Sequence, residues 1–316
     1  MTSRDRVVPG RMDANEQVLV VGQVARDLVL RVDEAPGARE AVPTRQRLEM
    51  LGGKGANQAV GLAQLGVPVA LLGVVGDDAV ADDLLDRARA DRIDVSPVVR
   101  RPDTSTGLIV SLLDAHAQWR YVEDLPEPVL LTEDDVRNAA RPSRCTVAQL
   151  QQPSAAVLAA VRQATGLIVL EGAPADDGRR DALLAASHVL RADAKEAGLL
   201  TGAELTDPET ALRAARDVQR THDLTLVAFG YDGGDVFAWR DGSLVATHGD
   251  ADVVDTTGAG DALTAGLTTV LVRGGAPEEA VELAVAAAAA TVEHAGGRPH
   301  LTPSRLRHFL RGTGVR

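Results

Sequence analysis

The sequence predicts an α/β fold: a mostly parallel sheet with helices on both faces, joined to a second, smaller sheet. Three observations point there. Short apolar runs and helical patterns alternate from Val18 onward. Early in the chain, four extended segments of mixed polarity interrupt that alternation. Further on, a glycine-rich stretch, Asp255-Thr256-Thr257-Gly258-Ala259-Gly260-Asp261, runs straight into an apolar helical pattern.

Residues 18–21 form an apolar run ending at Gly22, the usual form of a strand buried on both faces. Residues 57–65 read as a helix closed by Gly66, with Pro68 behind it. Residues 69–75 read as the next strand and 79–91 as the next helix. Further strands are expected at 146–150, 167–170, 188–190 and 224–229, separated by helices at 154–163, 194–200 and 210–220. This β-then-α order calls for parallel pairing with helices on both faces. Helices over 262–272 and 277–294 close the chain, and the alanine run at 286–290 lets the last one approach its neighbours closely. The interrupting segments lie near 24–32, 44–51, 107–113 and 118–122, and two of them alternate as half-exposed antiparallel strands do. They are expected to cover a cleft at the C-terminal ends of the main strands, where sheets of this class bind ligands.

Composition excludes several function classes. Lys and Arg number 33 against 45 Asp and Glu, a formal charge of −12, which argues against a general nucleic-acid binder. The single cysteine, Cys145, excludes an intrachain disulfide and a Cys-rich zinc site, and its strand-like surroundings point to buried packing. No apolar run is long and pure enough to span a membrane. Residues 1–16 are polar and charged and lack the apolar core of a signal peptide, so they are expected to form a flexible tail on a cytoplasmic protein. Aromatic residues make up only 2%, which leaves Ala, Val and Leu to build the core.

The chemistry concentrates in two glycine-rich devices. Gly258 and Gly260 let backbone N–H groups face a ligand without Cβ interference, and the helix behind them adds unpaired donors and partial positive charge. That suits a phosphoryl group whose charge grows during transfer. Asp261 is out of place there, because a carboxylate repels an anion. Taking a proton from an attacking hydroxyl would give it a task; capping the helix is the plainer reading. The second device is Leu51-Gly52-Gly53-Lys54-Gly55-Ala56-Asn57-Gln58-Ala59, where Lys54 and Asn57 offer directed donors beside open backbone. Alone it reads as a turn with a solvated lysine, and Asp27 alone as a surface carboxylate. Facing each other, they could hold a pair of sugar hydroxyls. The P-loop and dinucleotide spellings both fail: Gly53-Lys54 is followed by Gly55, and the first strand leads into Gly22-Gln23-Val24-Ala25-Arg26-Asp27.

Together, Gly22 with Asp27, the Gly52-Gly53-Lys54-Gly55-Ala56-Asn57-Gln58-Ala59 loop, Gly73-Val74-Val75-Gly76-Asp77-Asp78 and the 255–261 stretch resemble the PfkB carbohydrate kinases, above all the ribokinase-like branch. The likeness runs from about residue 18 to about 303, in the family's order. It implies a Rossmann-like kinase domain over 17–316 with a four-stranded β lid, and often a homodimer through that lid. It also implies transfer of the ATP γ-phosphate to a primary hydroxyl of a small carbohydrate, ribose or a related pentose or polyol. By position, Asp261 resembles the catalytic base, and Gly258, Ala259 and Gly260 the anion hole. Asp27, Gly53, Lys54 and Asn57 match sugar contacts. Asp193 and Glu196 fall on the family's Asn-x-x-Glu motif, tied to the phosphates and to Mg²⁺, which Glu196 would hold through water. Gly230 and Gly233 match an ATP-binding turn. Asp255 and Thr257 match positions for a monovalent cation, which implies K⁺.

Departures bear on the acceptor. Ala25 stands where ribokinases usually carry Asn, and Gln151 where they usually carry Glu. Asp193 replaces Asn and adds negative charge near the phosphates, which a metal or Lys195 must balance. The usual Asn-Pro-Ala-Pro has become Glu171-Gly172-Ala173-Pro174. A lost buried hydrogen bond costs ~1 kcal/mol, so two altered contacts suffice to change sugar preference while leaving the transfer machinery intact. Trp119 and Tyr121 could stack on a ring, although lid aromatics more often pack a dimer or a core. A nucleoside kinase and a non-catalytic sugar- or nucleotide-binding sensor stay open as alternatives; the intact Gly258-Ala259-Gly260-Asp261 argues against the sensor.

Overall fold

The computed structural model describes residues 17–247 and 251–312. The expected tail over 1–16 lies outside the described residues. Strand β1 (Val18–Val21) is wholly buried, and its side chains divide between two cores. Val18 and Val20 join one apolar cluster, Leu19 and Val21 the other, as the two-residue period of a strand requires. Next come β2 (Ala25–Arg31), β3 (Gln46–Gly52) and helix α1 (Lys54–Gln64). β4 (Val69–Leu72) pairs parallel with β1. The expected strand over 69–75 is split at Gly73, where a side chain would meet the Gly22 carbonyl at 2.6 Å. Its second half, β5 (Val74–Gly76), is followed by α2 (Ala79–Ala90) and pairs with β6 (Val99–Arg101).

β7 (Gly107–Leu113) and β8 (Trp119–Asp124) then complete the small sheet, in the order β3-β2-β7-β8. All four lid segments are thus strands of one sheet. It is not uniformly antiparallel, since β2 and β7 run parallel. The main sheet resumes with α3 (Glu133–Ala139), β9 (Cys145–Gln149), α4 (Ser154–Gln163), β10 (Leu167–Glu171), α5 (Arg180–Ala186), β11 (Val189–Ala192), α6 (Ala194–Thr201), α7 (Pro208–His222) and β12 (Leu226–Tyr231). An antiparallel hairpin, β13 (Gly234–Trp239) and β14 (Gly242–Thr247), was not foreseen and closes one edge. The eight strands run β14-β13-β12-β11-β10-β9-β1-β4, parallel from β12 to β4. Cys145 sits buried in β9, as its surroundings suggested, and burial pushes its thiol well up.

α8 (Ala259–Leu271), α9 (Pro277–Val292) and α10 (Pro303–Gly312) follow. Leu263 and Ala265 of α8 and Ala280 and Val281 of α9 join α1 and α2 in one core, while α3 to α7 build the other. A side chain on Gly266 would meet Ala284 of α9 at 2.6 Å, so small residues set that close approach. No helix among the described residues is long and apolar enough to cross a membrane.

Candidate active site

Gly258 is the N-cap of α8, with φ 76°. A side chain there would be strained and would also run into the Gly297 carbonyl, so both space and backbone geometry require glycine. Ala259, Gly260 and Asp261 form the first turn; the Ala259 N–H reaches the Thr256 carbonyl at 3.4 Å, while first-turn N–H groups have no partner within the helix. Asp261 does not cap the helix. It is buried, and its two oxygens accept from Asn57 Nδ2 and Gln58 Nε2, each at 3.1 Å. Burial, then the nearby Glu171 carboxylate, push it up to about 7, against the pull of Lys54, Asn57 and Arg191. A carboxylate so placed takes up protons near neutrality.

Both donors to Asp261 come from α1, which begins at Lys54, three residues earlier than expected. Its cap, Gly53, makes no side-chain cap bond, so the sequence carried no capping signal there. Lys54 is not solvated. Its ammonium lies 3.1 Å from Glu196 and 3.4 Å from Glu171. Burial works to lower it, but Glu171, Glu196 and Asp261 outweigh that and hold it above its usual range. Gln58 Nε2 also donates to Glu171, 3.1 Å away, so one amide joins the base to this ion cluster.

A cavity of about 190 Å³ opens above Asp261. It brings together Asp27, Gly53, Lys54, Asn57, Gln151, Asp255, Thr257 and Gly258, all singled out from the sequence. Strand register explains the rest of its lining. β2 pairs Asp27 with Ile109 and Val29 with Ser111, and β8 sets Glu123 and Tyr121 opposite the same two β7 residues. Alternation therefore turns one face of the lid onto the cavity. Ser111, Glu123 and Gln23 were not picked out as acceptor contacts, and Tyr121 only as an aromatic that could stack on a ring, because residue type alone does not tell which lid face is inward. Gln149 locks this wall from behind, donating to Gln151 Oε1 at 2.8 Å and accepting from the Gln23 N–H at 2.8 Å. Asp27 is buried under the lid, and burial, Asp255 and Glu123 lift it to about 7 against the Gly53 N–H. Asp27 Oδ1, Asn57 Oδ1 and Ser111 Oγ are buried without a protein partner, which suits the hydroxyls of a small polyol.

Trp119 and Tyr121 stack on each other, with ring centroids 4.3 Å apart. Trp119 Nε1 donates to Thr256 Oγ1 at 3.2 Å, and the Tyr121 hydroxyl is hydrogen-bonded to Thr257. The lid is thereby fastened to the loop that leads into α8. Asp255, fully buried, accepts from Thr257 N at 3.0 Å, Thr257 Oγ1 at 2.6 Å and Gly296 N at 2.9 Å. These are neutral donors, so no positive charge among them balances the buried carboxylate.

The remaining predicted residues stand beside this cavity without lining it. Asp193 caps α6, accepting from Glu196 N at 2.8 Å, while Glu196 accepts from Asp193 N at 3.0 Å. The capping box accounts for the unexpected Asp193 charge, and Lys195 is exposed. A side chain on Gly230 would stand 3.0 Å from Ala194 N, which sets β12 against this turn. Gly233 lies in the β12–β13 turn against the Tyr231 ring. The ion pair between Lys54 and Glu196 links this group to the acceptor cavity.

A family model of the pfkB carbohydrate kinases matches residues 15–304. The chain belongs to this family. It is an ATP-dependent phosphotransferase with an alcohol acceptor. The PfkB chain is 28% identical to the ribokinase of Haemophilus influenzae, over 90% of this chain and 95% of that protein. It is 30% identical to the ATP-dependent ribose-1-phosphate kinase of Halopiger xanaduensis, over 93% and 98%. The fold matches Arabidopsis thaliana ribokinase, solved with ribose and ATP, at a TM-score of 0.75 and 23% identity, over 94% and 99% of the two chains.

Around Asp261, too, residues had drawn no role from the sequence, Gln58 and Arg191 among them. Gln58 was quoted only as part of its motif, and Arg191 not at all. Arg191 leaves β11 and donates to Glu171 Oε1 at 2.9 Å. No local pattern marks either, because each acts through residues far along the chain.

Proposed function

We propose that this protein transfers the γ-phosphate of ATP to a primary hydroxyl of a small uncharged carbohydrate, a pentose or related polyol, with Asp261 as general base. The observation that carries this reading is Asp261 itself: a buried carboxylate, raised toward neutrality, at the N-terminus of α8 and on the floor of a cavity with unpartnered polar atoms. In the transfer, the acceptor oxygen forms a bond to the γ-phosphorus as the bond to the β–γ bridging oxygen breaks. The acceptor proton passes to Asp261, and ADP leaves with the bonding electrons. Asn57 and Gln58 hold the carboxylate in place, while backbone N–H groups of Gly258 to Gly260 receive the phosphoryl oxygens.

No group of three or more metal-ligating side chains occurs among the described residues. One carboxylate suits Mg²⁺, which keeps several waters and binds through one or two carboxylates plus phosphates. Glu196 would hold it through water beside the ATP phosphates, where it supplies charge neutralisation. Asp255 and Thr257 would hold K⁺ under the anion-hole loop.

The cavity volume, about 190 Å³, lies below the roughly 300–1,000 Å³ of drug-sized sites, which favours a pentose over a nucleoside. The charge of the acceptor end favours an uncharged acceptor. Asp27 and Glu123 face the cavity there, and the cation lining it among the described residues, Lys54, is engaged by Glu171 and Glu196. On the outer lid face, Leu28 lies beside Val110 and Leu30 beside Leu112, with Val122 opposite Val110 and 67% exposed. This apolar stripe supports pairing with a second copy through the lid.

The test is ADP release with ATP, Mg²⁺ and K⁺ over pentoses, hexoses, polyols, nucleosides and sugar phosphates, beside Asp261→Asn. One uncharged sugar should dominate, and the variant should lose about 10²–10⁴-fold in kcat. Because the base must be ionised, the wild-type rate should climb with pH through about 7. Full activity in Asp261→Asn, or a preference for nucleosides or phosphorylated acceptors, would sink this reading.

A further inference from the structure

The mechanism above leaves one buried cation without a task. Arg191 is only 9% exposed. A Cβ placed on Gly260 would stand 2.5 Å from its Nη1 and 2.6 Å from its Cζ and Nη2. These near-equal distances set the face of the guanidinium, not an edge, against the first turn of α8. Within the protein it donates to Glu171, while its buried Nε has no partner. A guanidinium carries five N–H donors in a fixed fork, and leaving buried donors open is costly. The guanidinium thus stands beside Gly260, where the kinase reading seats the transferring phosphoryl group, and its Nε–H is left for a partner from outside the protein.

Charge points the same way. Glu171, Asp235, Glu196 and Asp193 all act electrostatically on Arg191. An entering triphosphate meets carboxylates on several sides, and Arg191 is the cation set at the turn where transfer occurs. Lys54 is less free to serve, since it bridges Glu171 and Glu196. Glu171 accepts from Gln58 through its other oxygen, which fixes the carboxylate that aims the arginine. The planar fork of arginine also matches two phosphate oxygens at once, which a lysine cannot do.

We propose that Arg191 is a catalytic residue of the phosphoryl transfer: its guanidinium contacts the γ-phosphate oxygens over Gly260 and stabilises their charge in the transition state, with Glu171 as its positioning residue. This rests on the kinase reading above. It places inside the chain, on a strand of the main sheet, the cation that other phosphotransferases bring in as an arginine finger. No proton moves at Arg191; the bond changes are those already given.

The test uses the full chain with ATP, Mg²⁺ and the best acceptor of the panel. It compares wild type, Arg191→Lys, Arg191→Met and the double variant Arg191→Met/Glu171→Gln, which leaves no unpaired charge behind. Affinities for ATP and AMP are measured alongside by calorimetry. In the double variant, kcat should fall about 10²–10³-fold, ATP should bind less tightly relative to AMP, and acceptor KM should stay within about threefold. Arg191→Lys should recover only part of kcat. A double variant with kcat and ATP affinity within about threefold of wild type overturns the proposal. So does an Arg191→Met that fails to fold beside an active double variant, since Arg191 would then only neutralise Glu171. A wild type without turnover counts against the kinase reading instead, and the ATP-to-AMP comparison still decides the phosphate contact.

Discussion

At the end of the cleft where we propose the acceptor binds, the lining is side chains that reach in from separate strands, Asp27 from β2, Ser111 from β7 and Glu123 from β8. At the end where we propose the phosphates sit, it is backbone, the first turn of α8, backed by a buried ion cluster of Lys54, Glu171 and Arg191. Backbone donors serve any phosphoryl group and tolerate little change, because Gly258 leaves no room for a side chain. Side chains on a lid can be exchanged one at a time. The comparison teaches why the chemistry of a phosphotransferase can stay fixed while its acceptor changes. In this reading the chemistry rests on main-chain geometry and a few buried side chains, and preference on replaceable ones.

The largest break in that contrast comes from Gly258→Ala. It adds a methyl group at a φ of 76°, against the Gly297 carbonyl. We expect kcat to drop about 10²-fold or more for every acceptor, with their rank order unchanged; steady-state kinetics on the panel checks this. A selective loss for one acceptor would mean the two ends are not separable.

Asp27→Asn should act on the other end alone. We expect acceptor KM to rise about tenfold with the ATP KM unmoved. It should also change stability in a pH-dependent way. Asp27 is lifted from 3.8 to about 7 in the fold, so the unfolded chain ionises first. Its contribution is present in full below about 4 and is lost as pH rises through about 7, at about 1.4 kcal/mol per pH unit. The variant should remove that share of the slope in urea unfolding measured from pH 4 to 7. An unchanged slope would show that Asp27 is not desolvated as the lid implies.

The smallest effect on chemistry is expected from Val110→Glu, on the outer lid face. A charge there should split the dimer in sedimentation velocity while kcat changes less than about threefold. A wild type that sediments as a monomer would end the dimer proposal.

What the sequence disclosed depended on how locally each feature is encoded. β1, α2 and α4 were read within a residue or so, because their apolar periods are self-contained. The glycine-rich start of α8 was legible because Gly258, Gly260 and Asp261 lie within four residues of one another. The start of α1 was misjudged because a glycine cap leaves no side-chain signal. Gln58 and Arg191 escaped because their meaning lies in partners 20 to 203 residues away. The inward face of the lid was hidden for a similar reason: one register step would have turned Glu123 out and Val122 in.

The fastening of the lid to the loop that leads into α8 has an optical consequence. The chain has two tryptophans. Trp239 is 9% exposed at the edge of the main sheet, whereas Trp119 is 45% exposed and hydrogen-bonded to Thr256. Any opening of the lid moves Trp119 between contact and water and leaves Trp239 as a constant background. The protein thus contains its own fluorophore for timing substrate entry, with no label attached.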